Sequence, residues 1–565
     1  MARLLPQSLP GLNPESFDLI DHVRDQDGAV FHMQVFDGTR NYHLWTSDGY
    51  HASVDHLDGD SLLEVLKHQA ELFQNSAKLE TSAGSELRYQ RFGPWSSATL
   101  SGLNSPDAKP ELLRENGETR VRCEVPDGRL MLDIRRSSLR PPTGELVLSR
   151  LNSMGFRFSP TLLGMSFWDD GSSSLSWSRL MHSRKSSGSG FRPFLSDLRD
   201  LIEEFHSLPV EKVQKYLMRL SSAEKLPSIR AAVSMGAVLG ELHGSILLEQ
   251  DIRPAGKKGF SSDIIELFNP REFSTSDVGS IVGLSSFYLV ELKKEFTKLL
   301  GDRQRLNPES GRIMKALKQE KTRIKGVDLF DLALLREGYL KRERSLRARF
   351  SSLKEFSGSP MVPSGVDPRL DRVELDTDGN FMIEHFDWKP FGAESGEIAK
   401  VLPLKDLAMV LNSMNKARYL ASRQFVRNVS SKGRLDEKQL ITLLIEYYMA
   451  KNDYNQVMRD INLYRAVSGR NVPFRYVFST AVVGSLWFQV VQNSLVAGYT
   501  NKLHEMGKED LLDYPKGSDT IMGIQTMRSL LGLGSSLEVL KQGMVASPLG
   551  LEAELLNAFC FTDQP

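Results

Sequence analysis

Apolar and polar residues alternate with a period of two through GAVFHMQVFDG and TRNYHLWTSDGYHASV, residues 28–54, and Asp37-Gly38 and Asp48-Gly49 punctuate them. That pattern predicts strands joined by tight turns. The period then lengthens. Between Asp60 and Ala77 the apolar positions Leu62, Leu63, Val65, Leu66, Ala70, Leu72 and Phe73 gather on one side of a helix. A second strand pair is expected over Thr119–Ile134 around Asp127-Gly128, followed by helical spacing over Glu145–Met154. Past about residue 190 helical stretches dominate: Phe194–Phe205, Val210–Ser222 and Ile229–Leu248. One hairpin interrupts them at 373–388, turning at Asp378-Gly379. SRKSSGSG, Ser183–Gly190, reads as a hinge because Ser and Gly supply flexibility.

The expected architecture is α+β and bilobal: a small β-rich lobe up to about residue 190 and a large, mostly helical lobe from 191 to 565. Four smaller features belong to this reading. GLGSS at 532–536 lacks a lysine at the P-loop position and is expected to be a loop between helices. KRERSLRAR, Lys341–Arg349, is interrupted by Glu343 and reads as a solvated helix face. Tyr476–Thr500 carries no charge, but its serines, glutamines and asparagine suit a buried helix and not a bilayer span. Trp168, Trp177, Trp388 and Trp487 read as core or interface anchors, with Trp388 near the expected cleft between the lobes.

Composition narrows the function classes. Of 565 residues, 71 are Lys or Arg and 71 are Asp or Glu, so no net charge draws the chain to nucleic acid or an anionic membrane. Cys123 and Cys560 are the only cysteines, too few for a disulfide framework, and the N-terminus shows no secretory pattern. A soluble, cytoplasmic protein is expected. HExxH and paired CxxC spacings are absent, so zinc is not indicated.

Four segments, in order, carry a resemblance. Residues 129–164 read RLMLDIRRSSLRPPTGELVLSRLNSMGFRFSPTLLG, 235–243 read MGAVLGELH, 365–390 read GVDPRLDRVELDTDGNFMIEHFDWKP, and 403–417 read PLKDLAMVLNSMNKA. Together they resemble the maltokinase family, whose fold is protein-kinase-like with an N-terminal α/β cap and which transfers phosphate from ATP to maltose. The resemblance implies a cap over 1–105, the rest of the N-lobe over 106–190 and the C-lobe beyond. It implies ATP and magnesium as cofactors if the chain is active and none otherwise. It also implies an α-glucan or maltose, or a trehalose-pathway enzyme, as partner.

Carried over position by position, the catalytic-loop aspartate falls on Asp367, which is retained. The strand lysine that neutralises nucleotide phosphates falls on Asp133, a charge reversal, and the loop amide falls on Arg372. The histidine of the catalytic loop falls on Arg369, and the magnesium aspartate falls on His385, with Asp387 two residues on. On this register Asp133→Lys should improve nucleotide binding. Each residue also has a plainer reading: Asp367 before Pro368 as a turn starter, His385 as a hydrogen-bonded strand histidine, His243 as a helix-end packing residue. Three functions stay open at this level. They are an impaired maltokinase-like binding protein, an active ATP-dependent sugar kinase, and an unrelated helical scaffold.

Overall fold

The computed structural model describes residues 18–24, 30–36, 41–47, 59–80, 86–92, 101–106, 108–115, 118–135, 143–169, 174–208, 226–247, 268–269, 271–300, 323–324, 327–363, 366–386, 400–432, 472–512, 514–515 and 519–541, with isolated positions between and after them. Val210–Ser222, Asp387, Trp388 and Cys560 lie wholly or largely outside the described residues, as do the side chains of Trp168 and Trp177.

The chain opens with an antiparallel sheet of β1 (Asp18–Arg24), β2 (Val30–Phe36) and β3 (Asn41–Ser47). Helix α1 (Gly59–Gln74) follows, in the place its apolar stripe predicts. Next come β4 (Lys78–Glu80), β5 (Glu86–Arg91), β6 (Pro110–Glu115), β7 (Glu118–Val125), β8 (Gly128–Arg135), α2 (Thr143–Ser153), β9 (Thr161–Asp169) and β10 (Ser174–Ser183). The strands form one antiparallel seven-stranded sheet in the order β4-β5-β9-β10-β8-β7-β6, so it joins residues on both sides of position 105. One face packs Val121, Cys123, Leu130, Leu132, Leu163 and Leu180 against Leu62, Leu66 and Phe73 of α1. The other contributes Met131, Leu162, Met165 and Met181 to the main core, together with Val147 and Leu151 of α2. Each such buried side chain contributes about 1.5–3 kcal/mol over an exposed one.

Ser186–Ser189 forms a strand, β11, where the composition suggests a flexible hinge. It pairs with β16 (Val373–Asp376), which forms a hairpin with β17 (Phe381–Ile383). Serine hydroxyls and a backbone N–H do the fastening. Ser187 Oγ donates to the Asp376 carbonyl at 2.7 Å, and Gly190 N–H to that of Val373 at 2.7 Å.

The helical lobe contains α3 (Arg192–Ser207), α4 (Pro227–Ile246), α5 (Thr275–Leu300), α6 (Leu329–Ser351), α7 (Leu404–Lys432), α8 (Val472–Glu505) and α9 (Thr520–Lys541). Short strands β12 (Arg271–Glu272), β13 (Arg323–Ile324), β14 (Val327–Asp328), β15 (Pro360–Pro363) and β18 (Lys400–Val401) connect them, with β12-β15-β18 and β13-β14 forming small sheets. Helix α3 buries Phe194, Leu198, Leu201, Ile202 and Phe205, the spacing of a single helical face. Helices α4 and α8 approach so closely that a Cβ on Gly236 would stand 2.1 Å from the Leu495 carbonyl oxygen. The uncharged stretch at 476–500 is the middle of α8. Trp487 is buried there and donates to Ser228 Oγ at 2.9 Å. Among the described residues no helix is long and apolar enough to cross a membrane.

One expectation is corrected. GLGSS at 532–536 lies inside α9 and is no loop: Gly532, Leu533, Ser536 and Leu537 are buried in the helix–helix core. Packing overrides the low helix propensity of the glycines. Lys341–Arg349 is helical as expected, within α6, although Arg342 and Leu346 point inward and are buried.

Candidate functional site

The strand that carries Asp133 is buried on both faces. Leu130, Leu132 and Ile134 face α1, while Arg129, Met131 and Asp133 face the helical lobe. In the sheet register Asp133 stands opposite Arg120 on β7 and opposite Arg179 on β10. Arg120 donates through Nε to Oδ1 at 2.5 Å and through Nη2 to Oδ2 at 2.9 Å. Arg179 donates to Oδ2 through Nε at 2.9 Å and through Nη2 at 2.7 Å. Arg179 also reaches α2: its Nη1 lies 3.6 Å from Glu145 Oε1, and that glutamate is buried. Burial by itself would raise the Asp133 pKa, but the two guanidinium groups outweigh it and hold the carboxyl far below the usual carboxylate range. Asp133 is 2% exposed. Its negative charge is thus fully engaged within the sheet, and it offers a phosphate neither attraction nor access.

Asp367 begins the loop that leads into the β16–β17 hairpin. Its N–H donates to the His385 carbonyl at 2.9 Å, which joins the loop to the far arm of the hairpin. Its carboxylate is clamped by Arg369, with Nε on Oδ1 at 2.8 Å and Nη2 on Oδ2 at 2.5 Å, and the Arg369 N–H adds a third bond at 3.3 Å. Burial would raise the pKa, but hydrogen bonds and charge from Arg369, with a smaller contribution from His385, lower it. Asp367 is therefore ionised and 6% exposed. A general base works by accepting a proton from a hydroxyl within hydrogen-bond reach, and here both oxygens already serve a guanidinium.

Three helices anchor this loop from beneath. Lys405 at the start of α7 is wholly buried, donates to the Val366 carbonyl at 3.3 Å and pairs with Asp406. Asp406 bonds His243 Nε2 at 2.9 Å, and His243 Nδ1 meets the Tyr499 hydroxyl on α8 at 2.9 Å. Ser413 Oγ accepts the Leu370 N–H at 3.1 Å. His243 is thus a buried connector between α4, α7 and α8.

Arg372 is half-buried and its N–H caps the loop on the Arg369 carbonyl at 2.7 Å; His385 is half-buried beside Asp367. Magnesium prefers oxygen ligands. Arg372 carries donors only, and His385 offers a ring nitrogen. Among the described residues no group of three His, Cys, Asp or Glu side chains is placed to hold a metal ion. Arg372 and His385 therefore do not suit magnesium; Asp387, the other metal position named from sequence, lies outside the described residues.

Of the residues singled out from sequence, Asp367 and His385 are brought together, and Arg372 lies on the same loop. Glu384, next to His385, is within electrostatic range of Arg120, the partner of Asp133. Arg120, Arg179, Glu145, Lys405 and Asp406 had no role in the sequence reading.

No family model matches the chain, and no curated protein matches it. Solved structures do match its fold. A glucosamine kinase in complex with glucosamine, ADP and inorganic phosphate superposes with a TM-score of 0.54 at 12% identity, covering 98% of this chain and 97% of that one. Two further crystal forms of glucosamine kinase each give 0.52, at 11% and 12% identity, covering 96% and 98% of this chain and 90% and 95% of theirs. The α+β architecture is thus a bilobal kinase-like fold, with the seven-stranded sheet in the N-lobe and α3–α9 in the C-lobe.

Proposed function

We propose that this chain is a maltokinase-like protein of α-glucan or trehalose metabolism in which phosphotransfer is impaired or lost, and which acts by binding a maltose-type sugar or a partner enzyme. The carrying observation is the carboxylate at the strand-lysine position, buried and shared between two arginines on the flanking strands. Phosphoryl transfer depends almost wholly on positioning and on charge that stabilises the moving phosphoryl group. Here the strand presents an anion, the loop-amide position an arginine and the metal position a histidine, and the retained Asp367 is clamped by Arg369. The glucosamine kinase neighbours, one of them with ADP bound, support sugar and nucleotide as the chemistry from which such a site descends.

The test is incubation of the purified chain with maltose or glucosamine, ATP and magnesium, followed by detection of sugar phosphate. No product above background is expected, and calorimetry with Mg-ATP should show no micromolar affinity. Clear turnover that disappears in Asp367→Ala would refute the proposal and establish an active ATP-dependent sugar kinase. That second reading draws on the backbone bond from Asp367 to His385, which keeps loop and hairpin in register.

A further inference from the structure

Arg129 lies on the same face of β8 as Asp133 and is fully buried. Its guanidinium crosses from the sheet to the hairpin. Nη2 donates to Glu374 Oε2 at 2.7 Å, and Nη1 lies 3.4 and 3.2 Å from the two oxygens of Glu384. Nε donates to Glu124 Oε1, within the sheet, at 3.1 Å. Ser183 Oγ, at the end of β10, donates to Glu384 Oε1 at 2.6 Å, and Arg122 Nη1 stands 3.7 Å from Glu374 Oε1. The hairpin also meets the connection between α2 and β9 through backbone, since the Ile383 N–H donates to the Phe158 carbonyl at 2.8 Å. Met131, between Arg129 and Asp133 on this face, is 1% exposed and shares one apolar cluster with Phe381, Ile383 and Phe386.

We propose that the Arg129–Glu384–Glu374 junction is an internal latch, an autoinhibitory contact that fastens the N-lobe sheet to the catalytic-loop hairpin and closes the space between them to a nucleotide. The inference rests on the reading that this cleft no longer carries out phosphotransfer, and it adds a physical reason. The β8 face on which a kinase would lay its nucleotide is here in direct ionic contact with the opposite wall. Bulk stabilisation is a poor explanation for the arrangement. Two arginines face three glutamates, and burying charge is costly unless geometry and hydrogen bonds offset it. Burial and the neighbouring Glu374 push the Glu384 carboxyl up, against Arg129 and Ser183, so the contact is held at an electrostatic cost. One guanidinium with its two Nη groups directed at carboxylates at both arms of the hairpin does specify one relative placement of sheet and hairpin, which is what a latch requires.

Amide hydrogen exchange on the full chain tests it. Arg129→Met should speed exchange at least tenfold in 128–135, 174–183 and 373–383, while the α4–α8 pair, 227–246 and 472–505, keeps its protection. Glu384→Gln preserves shape and the Ser183 bond and should give a smaller, several-fold rise in the same segments, which keeps the test open if Arg129→Met fails to fold. The double exchange Arg129→Glu with Glu384→Arg should recover much of the protection, an effect that a purely space-filling role would not produce. Unchanged exchange in both single variants would overturn the latch. So would a uniform rise that includes α4–α8, which would mark general destabilisation. Sugar-phosphate formation by the wild-type chain would refute the functional reading and the latch together, because a cleft closed to nucleotide cannot turn over, whereas unchanged exchange without turnover would refute the latch alone.

Discussion

Substitution at Asp133 separates two accounts of the site. The family resemblance by itself leads to Asp133→Lys as a repair that restores a phosphate-binding cation. The structure reverses that expectation, because the side chain lies between Arg120 and Arg179 with four charged hydrogen bonds of 2.5–2.9 Å and 2% exposure. Asp133→Asn keeps the shape but leaves two buried guanidinium groups short of a counter-charge, and breaking a buried pair costs about 3–5 kcal/mol. Asp133→Lys adds repulsion, about 4 kcal/mol for each like-charged pair near 4 Å at an effective dielectric of about 20. At about 1.4 kcal/mol per tenfold, Asn should raise local opening of β7, β8 and β10 by on the order of 10²–10³-fold, and Lys should raise it further or prevent folding of the N-lobe. Hydrogen exchange of segments 118–135 and 174–183 measures this directly. The quadruple replacement Arg120→Met, Asp133→Leu, Glu145→Leu, Arg179→Met removes the four charged members of the cluster and should recover most of the protection. Acid adds a signed check. The folded-state pKa of Asp133 is depressed, so its contribution is complete above the unfolded value of about 3.9 and is lost as pH falls toward the folded value. The gap between wild type and Asp133→Asn should therefore be constant from about pH 5 upward and shrink only below about pH 4. A threefold or smaller change in exchange for Asn, or tighter Mg-ATP binding by a folded Lys variant, would refute the reasoning.

Three other outcomes are expected. Arg369→Gln leaves Asp367 buried without its clamp, so the carboxyl pKa rises and the native state gains affinity for a proton. The loss of melting temperature against wild type should then be largest near pH 7.5 and narrow toward pH 5, and a gap that widens in acid would count against the clamp. Lys405→Met removes the buried donor to the Val366 carbonyl and the partner of Asp406; a loss of about 3–5 kcal/mol by urea unfolding is expected, accompanied by faster exchange over 366–372. Gly236→Ala forces a methyl group against the Leu495 carbonyl and should cost about 1–3 kcal/mol or more, whereas an unchanged unfolding midpoint would show that α4 and α8 can move apart freely.

Much of the fold is written locally. The period-two runs around the Asp127-Gly128 signal specify β7 and β8, and the apolar stripes specify α1, α2, α3 and α4 within a few residues. One partner of Asp133 was legible only to within two positions: a two-residue turn at Asp127-Gly128 would set Arg122 opposite Asp133, whereas the chain turns at Pro126-Asp127, pairs Val125 with Gly128 and sets Arg120 there. The second partner was not. Arg179 reaches Asp133 only because β10 inserts beside β8, and strand order depends on packing across the whole lobe and not on any local period. The serine-rich segment before α3 became a strand for the same reason, since the hairpin that pairs with it lies far along the chain. GLGSS stayed helical because buried neighbours outweigh glycine's intrinsic preference. The sequence by itself determined most of the helices and strands and which charged residues the chain carries. Only the tertiary structure decided what the buried charges do, because the energy of a buried charge is set by neighbours drawn from distant segments: Arg179 and Glu145 around Asp133, Glu374 and Glu384 around Arg129, and His243 with Tyr499 beside Asp406.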